Sequence, residues 1–323
     1  MDKKILITGI SGFIGGHVGR KLCDQYNDIT ALIRPETNQS RITQFKDKIH
    51  FAHIDLSDTK NLKRYLSENR FDCILHIGAL RGGRNADRDH FFRSNVTATQ
   101  VIAEAALNNH TKLIYCSSVG VFGAAPNELP ATNQTERQED NYYHKTKIHA
   151  EAIIQHNVMD GLEAAIVRPS ITYGPGDYGF PYTLVRLVKH HLMFLPDKLV
   201  WIHLADVNLL SEAFVRLVEY DFAPGMAYNV ADREPLKIHD LVQFISRRLT
   251  NEDYPARYVI DQKYFALGEK IAKKLHNELW TSRFQLISKS WMYDVTDIYH
   301  DLQLKPVLTI PTFESVINWF QTK

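Results

Sequence analysis

The sequence predicts an α/β protein, a doubly wound parallel sheet with a smaller, discontinuous C-terminal domain. Three observations predict it. An apolar strand, Lys4-Ile5-Leu6-Ile7-Thr8, meets Gly9, Gly12 and Gly15 and passes into a helix on which Phe13, Ile14 and Val18 recur at helical spacing. Short apolar runs then alternate with helical patterns as far as Ser118, the pattern of strand-helix-strand units and parallel pairing. Further on, helical patterns at Ile238–Leu249, Ala266–Leu279 and Phe313–Phe320 fit a separate, mostly helical part.

The first strand and its turn carry the strongest chemical signal. Glycine is needed there three times: for the turn itself, for close approach of backbone N–H groups to a pyrophosphate, and for tight packing of helix on strand. The helix adds its positive dipole end and its unpaired N–H groups. Gly9, Gly12, Phe13, Ile14 and Gly15 are therefore candidate residues of a dinucleotide site. The helix is expected to run to about Tyr26.

The second strand, Ile29–Ile33, ends at Arg34, with Ser40 and Arg41 nearby. An NAD site normally places an acid here to bind the ribose 2′-hydroxyl. A guanidinium pairs with a 2′-phosphate and accepts no hydrogen bond, so NADP(H) is favoured and NAD(H) remains possible. The alternative is a solvated arginine at a strand end. A third strand, Ile49 to Leu56, closes on Asp55 and Leu56, where an acid can face the adenine amino group. In the fourth, Cys73–Ala79, the small Gly78 and Ala79 let the nicotinamide-side ribose and phosphate approach the backbone. Arg81, Arg84 and Arg88 follow in a loop that either meets a substrate phosphate or carboxylate or is simply solvated.

A long helix is expected over Phe91–Asn109 and a fifth strand over Leu113–Ser118. Gly123 to Asn141 reads as a solvated loop leading to a helix that starts at Tyr142. Tyr143 and Lys147 are one turn apart on that helix. A phenol is a poor base at neutral pH, with a reference pKa near ~10. A nearby ammonium, together with the charge of an oxidised nicotinamide, is expected to lower it. Tyr143 can then move a proton on and off a substrate oxygen, and Ser118 can hydrogen-bond the same oxygen.

Lys and Arg total 38 against 37 Asp and Glu, a net charge of +1, so no bulk field favours nucleic acid or an anionic membrane. Cys23, Cys73 and Cys116 lie in apolar contexts without a paired motif and read as reduced core residues of a cytoplasmic protein. No apolar run is long enough to span a membrane, and the first strand begins by residue 4, leaving no room for a signal peptide. His190 with His191, and His50 with His53, diverge from each other, so no metal is predicted.

Taken together, the motifs resemble the extended short-chain dehydrogenase/reductases, the NAD-dependent epimerase/dehydratase family, over nearly the whole chain. The matching pieces are Thr8-Gly9-x-x-Gly12-x-x-Gly15, Asp55-Leu56, Asn95-Val96, Ser117-Ser118-x-x-Val121-Phe122-Gly123, Tyr143-x-x-x-Lys147 with Glu151, Arg168-Pro169-x-x-x-Tyr173-Gly174-Pro175-Gly176-Asp177, and Ile202-His203-Leu204-Ala205-Asp206-Val207. The resemblance implies a Rossmann domain over 1–172 and 199–234 and a substrate-binding domain over 173–198 and 235–323. It implies Ser118, Tyr143 and Lys147 as a catalytic triad, with Lys147 also holding the nicotinamide ribose. Asn95 would support a proton relay, and Ser117 and Pro169 would border the cofactor. His203 and Asp206 are read as structural, and Trp280, Trp291 and Tyr293 as core in preference to a substrate platform. A homodimer through the helix after the fourth strand and the Tyr-Lys helix is also implied.

The family divides by what sits beside the triad. Val119 and Gly120 follow Ser118, where dehydratases carry an Asp-Glu pair and ring-inverting epimerase/reductases a Cys. Ser170 stands where many nucleotide-sugar enzymes have Asn, and Leu195–Trp201 lacks their glycine-rich stretch. With Arg34, this resembles the reductase-like branch. The expected function is an NAD(P)-dependent oxidoreductase moving hydride between nicotinamide and a secondary alcohol, ketone or aldehyde. The alternative is a C4-type nucleotide-sugar epimerase that recycles bound NAD. A non-catalytic NADP-binding regulator is a lesser alternative, because Ser118, Tyr143 and Lys147 are all present. The partner is in either enzyme case a small carbonyl, alcohol or sugar.

Overall fold

The structure, a computed structural model, describes residues 3–81 and 87–323. Its centre is a seven-stranded sheet: β1 (Ile5–Thr8), β2 (Ile29–Ile33), β3 (His50–His53), β4 (Cys73–His76), β5 (Lys112–Cys116), β6 (Ala164–Pro169) and β7 (Ala227–Val230). The order across the sheet is β7-β6-β5-β4-β1-β2-β3 and every neighbouring pair is parallel. The strand order reverses between β1 and β4. At such a switch point the loops leaving the carboxyl ends of the strands diverge and open a crevice.

The strands are apolar because both faces are covered. Ile5 and Ile7 enter one core while Leu6, pointing the other way, enters a second. On the second face lie α2 (Thr59–Glu68), α4 (Ala98–Asn108) and α5 (Tyr142–Met159). On the first lie α1 (Phe13–Cys23) and α7 (Val207–Glu219), and there the core runs on without a break into the C-terminal part through Ile238, Trp291 and Phe313.

Element edges differ from the sequence reading. The long helix expected over 91–109 begins as α3 (Arg88–Phe92), passes through a π turn (Arg93–Thr97) and continues as α4. The π turn sets Asn95 inward, 2% exposed. The helix expected over 266–279 is two, α9 (Gln262–Lys274) and α10 (Glu278–Ser288). His276 takes a positive φ of 51° between them, and the Asn277 side chain caps α10 by accepting from Trp280 N at 3.1 Å. Trp291 is fully buried, but Trp280 is 49% exposed, so it is not the core residue the sequence suggested.

Three short pairs bring the chain back and forth above the sheet. Thr172–Tyr173 pairs with Ala205–Asp206, Leu236–Lys237 with Trp201–Ile202, and Val259–Ile260 with Leu195–Pro196. Asp232, just past β7, joins these crossings. Its carboxylate accepts from Asp206 N at 2.8 Å, Tyr173 hydroxyl at 2.7 Å and Thr309 hydroxyl at 2.5 Å. Thr309 starts α12 (Thr309–Gln321). Among the described residues no helix is long and apolar enough to cross a membrane.

Candidate active site

One cleft of about 1090 Å³ opens over the carboxyl edge of the sheet. Gly9, Gly12, Phe13, Ile14, Gly15, Arg34, Asp55, Leu56, Gly78, Ala79, Ser117, Ser118, Tyr143, Lys147 and Pro169 all line it. Asn95 lies behind its wall. Arg81 and Arg88 also border it, and both are exposed. Arg84 lies outside the described residues.

The glycine turn has the tightness its spacing implies. Gly9 has a φ of +77°, and a Cβ on it would fall 2.7 Å from the backbone of Gly78. A Cβ on Gly15 would meet Gly9 O at 2.1 Å. The first turn of α1 is thus pressed against β1 with its N–H groups facing the cleft, a cradle suited to a pyrophosphate. Arg34 and Arg41 stand at the far end near Ile33 and Asp55. Arg34 is half exposed, with Glu36 at 3.5 Å. Asp55 Oδ1 is occupied by Ser57 N and hydroxyl, both at 2.7 Å.

Behind β1 and β4 a chain of hydrogen bonds fixes the floor. Gly78 N donates to Thr8 Oγ1 at 2.8 Å, and Thr8 to His76 Nδ1 at 2.9 Å. His76 Nε2 meets Thr99 Oγ1 at 3.0 Å, and Thr99 donates to Asn95 O at 2.8 Å. That direction of donors requires the proton on Nε2. Burial, with help from the Lys147 charge, holds His76 down to a pKa of about 3, so it is neutral. Asn95 accepts from Leu80 N at 2.8 Å and donates to Leu80 O at 2.8 Å and to Thr146 Oγ1 at 3.1 Å. It clamps the strand β4 exit to α5.

The Tyr-Lys helix departs from expectation in one respect. Lys147 is 2% exposed, and its ammonium donates to Cys116 O at 2.7 Å and to Tyr115 hydroxyl at 3.2 Å, 5.9 Å from the ring centre of Tyr143. Burial lowers the Lys147 pKa to about 8. Burial also pushes the Tyr143 phenol up to about 12, against a downward pull from Arg81. The protein alone therefore does not lower the phenol's pKa as the sequence reading expected: desolvation outweighs the pull of Arg81, and Lys147 spends two of its three donors on β5.

Ser118 Oγ accepts from Gly120 N at 3.0 Å and caps the turn Val119–Phe122. Next to it, Ser117 donates to Glu151 Oε1 at 2.5 Å. Arg168 grips the same carboxylate, Nε to Oε1 at 2.8 Å and Nη2 to Oε2 at 2.7 Å. The sequence named Glu151 and Arg168 only as motif members. Tyr115, Thr146 and the pair Asp140 and His144 carried no assignment at all, since their partners lie on other elements or in the loop. His203 and Asp206 are placed structurally: His203 Nε2 meets Asp232 O at 2.7 Å, and Asp206 caps α7 through Asn208 N at 2.7 Å. Tyr293 is buried and also reaches the cleft wall. No group of three or more metal-binding side chains converges among the described residues.

Similar proteins were found by sequence and by structure. The chain is 26% identical over 299 residues to an Arabidopsis thaliana trifunctional UDP-glucose 4,6-dehydratase/UDP-4-keto-6-deoxy-D-glucose 3,5-epimerase/UDP-4-keto-L-rhamnose-reductase, covering 84% of this chain and 44% of that one. It is 27% identical over 213 residues to UDP-glucose 4-epimerase 2 of the same plant, covering 58% of this chain and 60% of the relative. The chain thus spans about half the length of these curated relatives. The crystal structure of gox2253 superposes with a TM-score of 0.81 at 22% identity, over 99% of this chain and 98% of the other. The Bordetella bronchiseptica enzyme WbmH, solved with NAD+, gives 0.78 at 17%, over 100% and 99%. Residues 5–231 match the NAD dependent epimerase/dehydratase family as a whole, from the first strand to the end of the sheet, and the chain belongs to that family.

Proposed function

We propose that the protein is an oxidoreductase acting on a secondary alcohol or its ketone, or an aldehyde, with a nicotinamide dinucleotide as cofactor. The observation that carries this reading is the convergence of the Gly9–Gly15 turn, Ser118, Tyr143 and Lys147 on one cleft. A bound nicotinamide supplies or takes up the hydride. Tyr143 gives or takes the proton at the substrate oxygen, and Ser118 Oγ donates a hydrogen bond to that oxygen. Lys147 holds the nicotinamide ribose and keeps positive charge beside the phenol. Asn95 belongs to the same machinery through its hold on Leu80 and Thr146. Pro169 and Ser117 border the nicotinamide end, and Asp55 with Leu56 the adenine end.

We assign NADP(H) as the favoured cofactor because Arg34 and Arg41 both face the end of the cleft where a 2′-phosphate would lie. The domains follow the cleft: 1–172 and 199–234 bind the cofactor, while 173–198 and 235–323 bind substrate through residues such as Phe180, Leu279 and Ser282. Cytoplasmic residence fits three free cysteines. A homodimer through α4 and α5, tested by light scattering, belongs to the same reading.

A second reading, a C4-type epimerase of nucleotide sugars that recycles NAD, is favoured by relatives named as UDP-glucose 4-epimerases and by a cleft of about 1090 Å³, ample for a dinucleotide and a sugar ligand. Release and identification of the nucleotide that co-purifies, then titration of the emptied protein with NAD(H) and NADP(H), separates the two. Tightly retained NAD+ selects the epimerase, and an empty site preferring NADPH selects the reductase.

A further inference from the structure

The net charge of +1 hides an uneven distribution. Residues 261–289, which hold α9 and α10, carry six Lys and Arg against three Asp and Glu, a surplus of +3 in a chain whose total is +1. Asp261 pairs with Lys263, and Glu269 with Lys273 and Lys289. Lys270, Lys274 and Arg283 are left in no ion pair among the described residues.

The same stretch is apolar where it meets water. Of the sixteen large apolar side chains that are exposed among the described residues, six fall within 264–280. Tyr264, Leu267, Ile271 and Leu275 recur at helical spacing along one face of α9, and they are 54%, 55%, 50% and 71% exposed. The helix buries a different face, through Phe265 and Ala272, so the row is surplus to the core. Lys263, Lys270 and Lys274 fall along one edge of the row by the same spacing. Trp280 on α10 extends it, with the Arg283 guanidinium 5.1 Å from the ring centre. The two helices touch at Gly268, where a Cβ would lie 2.6 Å from the Phe284 ring. Between Ile271, Leu275 and Trp280 they leave a hollow of about 380 Å³. A contiguous apolar patch with a polar rim marks a contact surface.

Charge and shape indicate what covers it. A second copy of the chain brings the same positive surplus, so like charge meets like. The side chains of the row protrude, and the hollow beside them has room for the end of an acyl chain, which suits a fluid apolar layer rather than a partner of matching relief. Lysine and arginine lay their stems on apolar surface and hold their charge among headgroups, and tryptophan settles at the same depth. We propose that α9 and α10 form a docking surface for an anionic lipid bilayer, on which the protein lies without crossing it. Leu279, next to Trp280, lines the cleft, so the mouth of the cleft opens beside the lipid when the protein is docked. The inference stands on this face alone and needs neither the cofactor nor the hydride step.

The test is sedimentation of the full chain with vesicles of phosphatidylserine and phosphatidylcholine in equal parts, and with vesicles of phosphatidylcholine alone. The wild-type protein should bind the anionic vesicles, bind the neutral ones far less, and come off as salt rises. Its tryptophan emission should shift to the blue on binding, and Trp280→Phe should lose most of that shift. Lys270→Gln with Lys274→Gln should weaken binding about 30-fold, and Leu267→Ser with Leu275→Ser about tenfold or more. All four side chains are exposed, so both double variants should keep the wild-type melting temperature. No binding to anionic vesicles, equal binding to neutral ones, or full binding in either double variant overturns the proposal. A lipid-free dimer in light scattering that Leu267→Ser with Leu275→Ser dissolves also overturns it, because the face then belongs to a second copy.

Discussion

Arg168 on β6 and Glu151 on α5 form a two-pronged ion pair with side chains 3% and 8% exposed, and Ser117 hangs from the same carboxylate. The pair ties the Tyr-Lys helix to the sheet directly beneath Ser118. Removing one partner leaves a buried charge uncompensated, which typically costs about 3–5 kcal/mol. Glu151→Ala should show that loss in urea unfolding. Glu151→Leu combined with Arg168→Met should be less destabilised than either single change, and additive losses would contradict this account.

Tyr143→Phe removes the hydroxyl and leaves the packing of the ring. Turnover should fall by about 10²–10⁴ with the melting temperature nearly unchanged. Activity surviving in this variant removes Tyr143 from the proton-transfer role, whatever the substrate.

Arg34 is 51% exposed and its pairing with Glu36 is open to water, so the contact with a 2′-phosphate proposed above would sit at the weak end of charge-assisted bonds. Arg34→Ala should weaken NADP(H) binding by about tenfold and leave NAD(H) affinity as it was. Equal loss for both cofactors in calorimetric titration would show that Arg34 does not read the phosphate.

Two buried histidines should make stability fall in mild acid, against the opposing pull of buried carboxyls, Asp177, Asp206 and Asp232, whose pKa values burial raises. Burial holds His76 at about 3 and His203 at about 4, both below the ordinary 6.5, so below about pH 6 the unfolded chain takes up two protons that the native chain refuses. Asp232, raised by burial to about 6, opposes this by binding one proton in the native state that the unfolded state releases. Each proton is worth about 1.4 kcal/mol per pH unit. His76→Gln should therefore flatten the stability profile between about pH 4 and 6 by about that slope relative to wild type, measured by urea unfolding at several pH values. An unchanged slope would mean that His76 is protonated in the native state.

Local signals in the chain were enough to place the strands and the glycine turn, because a buried parallel strand is a short apolar run and Gly15 answers to Gly9 within the same turn, whereas the approach of Gly78 to Gly9 comes from another strand. The same holds for Tyr143 and Lys147, whose shared helix face follows from spacing alone. What Lys147 touches does not follow: Tyr115 and Cys116 lie on β5, and their grip on the ammonium depends on how helix and sheet pack. The π turn at Arg93–Thr97 had no turn residue to announce it.

The two sides of the cleft bear unequal structural weight. On the glycine-turn side nearly every residue is fastened to the sheet, whereas α10 buries only Ser288 completely yet sends Glu278, Leu279, Ser282 and Leu286 to the cleft. Changes at Glu278, Leu279 and Ser282 alter what the cleft admits and cost the fold little, whereas Leu286 also packs against the main core. For directed evolution, that makes the start of α10 the place to randomise: a library there reshapes the mouth of the cleft while Ser118, Tyr143, Lys147 and the Gly9–Gly15 turn stay as they are.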